Sequence, residues 1–207
     1  MQGSDLTLDR ATLASAVHDL RNPLAVIVGM ASVLRARAMP RDRDCLDAIA
    51  MECGRLSRMV DNLMAASRLG SAPAREWLPA DELASAAIAR LESVLGGTSI
   101  ALDIADGALV HVEPMLGELL LVNVLDALAS PPEGRLELAI HRDNGRSVIE
   151  VRGATALADD RTLPLAIAHQ LVGAHGGSLE TLDPNGGGAL VRITIPDAGE
   201  RPAEGGG

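Results

Sequence analysis

The chain has no phenylalanine or tyrosine and a single tryptophan. Any core must therefore be built from Leu, Val, Ile, Ala and Met, and at 207 residues with 47% apolar content there is enough of these for one or two compact domains. Cysteine is nearly absent. Cys45 and Cys53 fall on a predicted helix with Cys53 on its apolar seam, which favours buried thiols over a disulfide or a metal pair and makes the reducing cytoplasm the expected compartment. No apolar run approaches the roughly 20 residues that cross a bilayer, and the N-terminus lacks a signal-peptide pattern, so no membrane sensor is expected in this chain. Cationic charge is also short: the formal net charge of −10 disfavours nucleic acid or an anionic membrane, which are gripped by Lys and Arg. The one basic cluster, Arg35, Arg37, Arg41 and Arg43, reads as a solvated helix-loop tip.

What the chain does have is helical periodicity near its start. Leu13, Val17, Leu20, Leu24, Ile27, Ala31 and Leu34 recur in steps of four and three, and after Met39-Pro40 so do Leu46, Ile49, Cys53, Leu56, Val60 and Leu63. Two such helices make an antiparallel hairpin. One hairpin cannot cover both seams, so two chains are expected to pair as a four-helix bundle, making the protein a homodimer. Gly70-Ser71-Ala72-Pro73 then breaks the pattern, and shorter mixed elements follow. A helix is predicted from Pro79-Ala80-Asp81 to Leu95, strands over Ser99–Ala105 and Ala108–Glu113, and a helix over Leu116–Ala129. Leu136–Arg142 and Ser147–Arg152 flank Asp143-Asn144-Gly145, a tight hairpin signal. Leu163–Ala174 reads as a helix, and Ser178–Leu182 and Ala189–Ile195 as strands. The fold class is therefore α+β. Residues 1–69 form the helical hairpin, 70–78 a linker, 79–197 an α/β sandwich and 198–207 a disordered tail.

Within the first helix stands His18-Asp19-Leu20-Arg21-Asn22-Pro23-Leu24. His18 lies just off the apolar seam, and Pro23 removes a backbone hydrogen bond and crowds the carbonyl of Asp19, so a bend is expected beside the histidine. This string resembles the H-box of sensor histidine kinases. Arg55-Leu56 through Asn62-Leu63 and Ser67-Arg68-Leu69 resemble the second helix of their dimerisation and histidine-phosphotransfer domain. The resemblance implies that His18 accepts a phosphoryl group. Asp19 would orient the imidazole and bias its tautomer, or serve only as a surface acid. Asn22 takes the position of the family's phosphatase residue, or is simply a polar residue before proline. Arg21 is a candidate for stabilising the charge of the transferred group.

The second domain resembles the GHKL ATP-binding domain of histidine kinases, most clearly in Leu165-Ala166-Ile167-Ala168 and Leu171-Val172-Gly173-Ala174-His175-Gly176-Gly177. It departs from the family where nucleotide chemistry belongs. Asn123 is followed four residues on by Ala127, which offers no oxygen to magnesium. Arg152-Gly153-Ala154-Thr155 stands where the family has an adenine-binding aspartate, unless the alignment shifts to Asp159-Asp160. Fewer than a dozen residues replace the mobile lid. Thr162-Leu163-Pro164-Leu165 replaces a glycine turn, and Pro164 has no amide to donate. No cofactor is thus expected on this chain, and Gly176-Gly177 and Gly186-Gly187-Gly188 read as turns rather than a phosphate cradle. His111, His141 and His169 lack partners at ligand spacing, so structural or surface roles are expected and no metal site.

An intact phosphoacceptor box beside a disabled nucleotide domain is similar to the dimeric histidine phosphotransferases of the ChpT type. The resemblance implies a phosphorelay shuttle in which His18 exchanges a phosphoryl group with response-regulator receiver domains, fed by an upstream hybrid histidine kinase. The receiver would supply its own aspartate and Mg2+. It would dock by inserting a helix along the bundle against Val26 or Met30. Two alternatives remain open: an autophosphorylating kinase with a divergent nucleotide site, and a non-catalytic scaffold.

Overall fold

In the computed structural model the chain divides into two compact units, Met1–Arg68 and Leu69–Gly207. The structure describes residues 10–68, 74–95, 98–129, 134–154, 163–182 and 188–197.

The first unit is a helical hairpin of α1 (Arg10–Arg35) and α2 (Pro40–Arg68). α1 runs through Pro23 without a break. Pro40 opens α2 at the first helical position, where its fixed φ suits the helix and its missing N–H is not needed. The predicted seams meet only in part. Ala31, Cys53, Val60 and Ala65 are buried between the helices, whereas Leu20, Ile27, Leu34, Ile49 and Leu56 on the same two seams are 44–58% exposed in the single chain. Cys45 corrects the expectation of two buried thiols: Cys53 is buried, but Cys45 is exposed and both are free. Arg35, Arg37, Arg41 and Arg43 are all exposed at the hairpin tip, where Arg35 pairs with Asp47 across the helices.

The second unit is an α/β sandwich. Its strands and helices are β1 (Glu76–Pro79), α3 (Ala80–Leu95), β2 (Ser99–Ile104), β3 (Leu109–Val112), α4 (Pro114–Leu128), β4 (Arg135–Asp143), β5 (Arg146–Gly153), α5 (Leu163–Ala174), β6 (Ser178–Leu182) and β7 (Ala189–Pro196). Five strands form one sheet in the order β2-β4-β5-β7-β6, with β2 parallel to β4 and the other neighbours antiparallel. β1 and β3 make a separate two-stranded ribbon that sets Trp77 opposite His111. α4 packs between α3 and α5 and against β5. That position explains why its sequence is apolar nearly all round: Leu119, Leu120, Leu121, Val122, Val124 and Leu125 are all buried.

Period-two alternation sorts the sheet into two faces. On β4, Leu136, Leu138 and Ile140 are buried while Glu137 and His141 are exposed. The outer face is tied by cross-strand ion pairs, Arg192–Glu150 at 2.7 Å and Arg152–Glu137 at 3.9 Å. The β4–β5 hairpin closes through Asn144 and Gly145 at φ of 48° and 73°, the positive pair that a two-residue turn between right-twisted strands requires.

Two elements differ from expectation by more than a single residue at an end. β1 is a strand where linker was expected, and it exists because β3 supplies its ladder. α4 begins at Pro114 rather than Leu116, since Glu113 caps it: its carboxylate accepts the amide of Leu116 at 2.6 Å and Pro114 fills the next position. The expected tail 198–207 and the short segment in the place of the lid, 155–162, lie outside the described residues.

Candidate functional site

His18 takes its place in α1, and Arg21 and Asn22 follow it at spacings that share one helix face. The His18 side chain lies outside what the structure describes. Asp19 and Asn22 are exposed. Arg21 is fixed: its Nε donates to Asp61 Oδ1 at 2.9 Å, and its Nη2 donates to the same oxygen. Asp61 stands on α2 with its side chain only 10% exposed, against 44% for Arg21. Asn62 beside it is also buried. A carboxylate leaves water at a large cost unless it is paired, so the guanidinium helps to stabilise Asp61 and is thereby held against α2. Arg21 was expected as a charge stabiliser on α1 alone, and the partner forty residues away was missed. The only sequence signal was an acid directly after Val60 on the apolar seam.

Val26 and Met30, the expected docking contacts, are exposed on α1.

In the second unit the positions of the expected nucleotide site carry other interactions. The Asn123 side chain is buried and its Nδ2 donates back to the carbonyl of Leu119 at 2.8 Å. Ala127 follows on α4 with only a methyl group. Arg152 is exposed on the outer face of the sheet, paired with Glu137. Gly153 abuts the end of α4 so closely that an added Cβ would lie 3.1 Å from the carbonyl oxygen of Leu128. Pro164 stands in the first turn of α5. Ala127 offers no second side-chain oxygen to a hard cation beside Asn123, and a cation, Arg152, stands where the resemblance implies an adenine-binding acid. Thr162 and Asp159-Asp160 lie outside the described residues. Among the described residues, no group of three or more His, Cys, Asp or Glu stands together as a metal site.

His175 was expected merely to belong to a turn, and the structure gives it more to do. The ring is fully buried. Nδ1 meets the carbonyl of Leu171 at 2.8 Å, and Nε2 accepts the backbone N–H of Glu113 at 3.1 Å. A carbonyl only accepts and an amide only donates, so the ring is the neutral tautomer with its proton on Nδ1. It links the last turn of α5 to the cap of α4. Burial, more than any neighbouring charge, pushes its pKa below the ordinary value. Gly176, at φ +69°, and Gly177 close the helix with amides on the carbonyls of Gly173 and Val172, a Schellman ending. His111 stacks on Trp77 with ring centroids 4.8 Å apart, and burial likewise lowers its pKa. His141 and His169 are exposed.

Comparison with known proteins places this arrangement. Residues 9–72 match the His Kinase A (phospho-acceptor) domain. The sensor protein KdpD of Escherichia coli is 29% identical over 90% of this chain, and the histidine-protein kinase AfsQ2 of Streptomyces coelicolor is 23% identical over 94%. The chain spans 24% of the length of that KdpD and 43% of AfsQ2. Among solved structures, the Acinetobacter baumannii histidine kinase AdeS is similar with a TM-score of 0.61 at 18% identity, covering 88% of this chain and 98% of that one. Full-length ShkA in complex with AMPPNP gives 0.59 at 22% identity, covering 91% of this chain and 46% of that one. The chain is therefore similar to a histidine-kinase core and shares its fold: a helical hairpin that resembles a phospho-acceptor domain over residues 9–72, followed by an α/β domain. No helix among the described residues is long and apolar enough to cross a membrane.

Proposed function

We propose that the chain is a phosphohistidine core of two-component signalling, in which His18 takes up a phosphoryl group and exchanges it with the aspartate of a receiver domain. The observation that carries this reading is the string His18-Asp19-Leu20-Arg21-Asn22-Pro23 on α1, inside a region that matches a phospho-acceptor domain. A neutral imidazole is the nucleophile. Its nitrogen attacks phosphorus in line with the bond to the leaving oxygen, through a loose transition state that asks mainly for position and for donors to the phosphoryl oxygens. Asp19 orients the imidazole, Arg21 offers its N–H donors, and Asn22 aligns water when the receiver is dephosphorylated instead. The open strip of Leu20, Ile27, Leu34, Ile49 and Leu56 supports pairing with a second copy.

Two donors compete for this site. The relatives are named as sensor proteins and a kinase, and they support autophosphorylation from ATP more strongly than they support any ATP-independent role. Ala127, Arg152 and Pro164 favour the second reading. In it, the second unit binds no nucleotide, a receiver charged by a hybrid kinase is the donor, and the protein acts as a dimeric phosphotransferase of the ChpT type, with Mg2+ brought by the receiver. Purified protein and its His18→Gln variant are incubated with labelled ATP and magnesium, and in parallel with a labelled phosphoreceiver. Acid-labile label from ATP on the parent alone establishes the kinase; label from the receiver alone establishes the shuttle. Equal label on the variant, or none from either donor, refutes the phosphohistidine.

A further inference from the structure

We infer that Asp61 of α2 is a positioning residue for phosphoryl transfer at His18: it holds the Arg21 guanidinium so that the remaining N–H donors of that fork meet the oxygens of the phosphoryl group. The inference rests on the reading of His18 as the phosphoacceptor. It starts from a contrast between two ion pairs that bridge the same two helices. Arg35–Asp47, at the hairpin tip, is open to water on both sides, with side chains 56% and 46% exposed. Arg21–Asp61 joins a 10% exposed carboxylate to a 44% exposed guanidinium, one helical turn from His18. A buried carboxylate is a poor way to hold a hairpin together, since an apolar residue there serves at least as well. What the acid does provide is direction.

Arginine has five N–H donors on one rigid plane. Nε and Nη2 both converge on Asp61 Oδ1, and two bonds from a planar group to one fixed atom restrict the rotation of the whole fork. The Arg21 side chain stays 44% exposed, so it is open to a docking phosphoryl donor. By helix register Arg21 is a surface neighbour of position 18. Without Asp61 the same cation swings on three methylenes; with it, the donors wait where negative charge develops, and no reorganisation is needed at the moment of transfer.

The test uses phosphoramidate, a small phosphoryl donor that requires neither ATP nor a receiver. The P–N bond to the departing ammonia breaks as a His18 ring nitrogen forms the new P–N bond, and the imidazolium then releases its proton to water. Phosphohistidine formation on the full-length protein is followed by phosphorus NMR, well below the melting temperature of each variant. Asp61→Asn should slow labelling about tenfold or more, Asp61→Glu should recover most of the rate, and Arg21→Gln combined with Asp61→Asn should be no slower than Arg21→Gln alone. A merely structural acid would show none of that coupling. Labelling of Asp61→Asn within about twofold of the parent, or losses that multiply in the double variant, overturns the inference. If Asp61→Asn does not fold, Arg21→Lys keeps the charge but not the fork; the same slowing is expected, and the parent rate overturns the inference. Label that persists in His18→Gln, or its absence from the parent, defeats the phosphoacceptor reading itself and is distinguishable from both.

Discussion

Replacing His175 with leucine removes two hydrogen bonds from the interior while keeping a side chain of similar bulk. The Glu113 N–H loses its acceptor and the Leu171 carbonyl loses its donor; the carbonyl contact is buried and the amide contact part-buried between α4 and α5. A buried polar group left unpaired costs about 1–3 kcal/mol, so the pair costs roughly 2–6 kcal/mol. That is a large share of the ~5–15 kcal/mol that holds a typical domain folded. Urea unfolding followed by the fluorescence of Trp77, the only tryptophan of the chain, reports on the second unit. At a slope near ~2 kcal/mol per molar, the midpoint falls by about 1–3 M with the slope unchanged. The parent also carries a pH signature. Its folded His175 is neutral with a pKa below the unfolded value, so the unfolded chain binds a proton that the folded chain refuses. The stability this confers is complete above about pH 6.5 and declines as pH falls below that value toward the folded pKa. His175→Leu should flatten the part of this slope that comes from the ring, leaving that of His111. A loss under about 0.5 kcal/mol, the range of ordinary surface substitutions, would refute the claim that this ring ties the two helices together.

Other consequences are open to direct measurement. Ile27→Asp or Leu56→Asp places a charge on the open strip of the hairpin; sedimentation should show the parent as a dimer and the variants shifted toward monomer, and a parent that sediments as monomer contradicts the paired bundle. Gly177→Ala brings a Cβ to 2.3 Å from the Thr194 carbonyl oxygen, so the α5–β6 turn must move, at about 1–3 kcal/mol in the same urea assay. Gly145→Ala, at φ 73° in the β4–β5 turn, should cost about 1 kcal/mol, as expected for a residue with a Cβ held in the left-handed region.

Much of the architecture was legible because it is local. The hairpin seams, the Asn144-Gly145 turn, the α5 bounds and the Gly176-Gly177 ending each arise from neighbours a few residues apart. What escaped is set by distant partners. β1 has four residues and no pattern of its own, and it becomes a strand only against β3. Exposure along the helical seams depends on how much of each stripe a single partner helix covers. The α4 start was readable from Glu113-Pro114, an acid that can cap followed by a proline suited to a first turn. At the candidate site, His18 and its neighbours announced themselves as a contiguous string, whereas Asp61 acts from α2, and no local rule connects it to Arg21. His175 was hidden by its own turn: the glycines after it explain the helix ending, and nothing nearby predicts that its ring reaches Glu113.

The most direct test of the central claim is the site of phosphorylation. Purified protein is charged with magnesium-ATP or with a labelled phosphoreceiver, digested under alkaline conditions that preserve phosphohistidine, and mapped by mass spectrometry. The account predicts one acid-labile phosphoryl group, on His18, absent from His18→Gln whichever donor delivers it. A phosphoryl group on another residue, or a parent that neither donor labels, would contradict it.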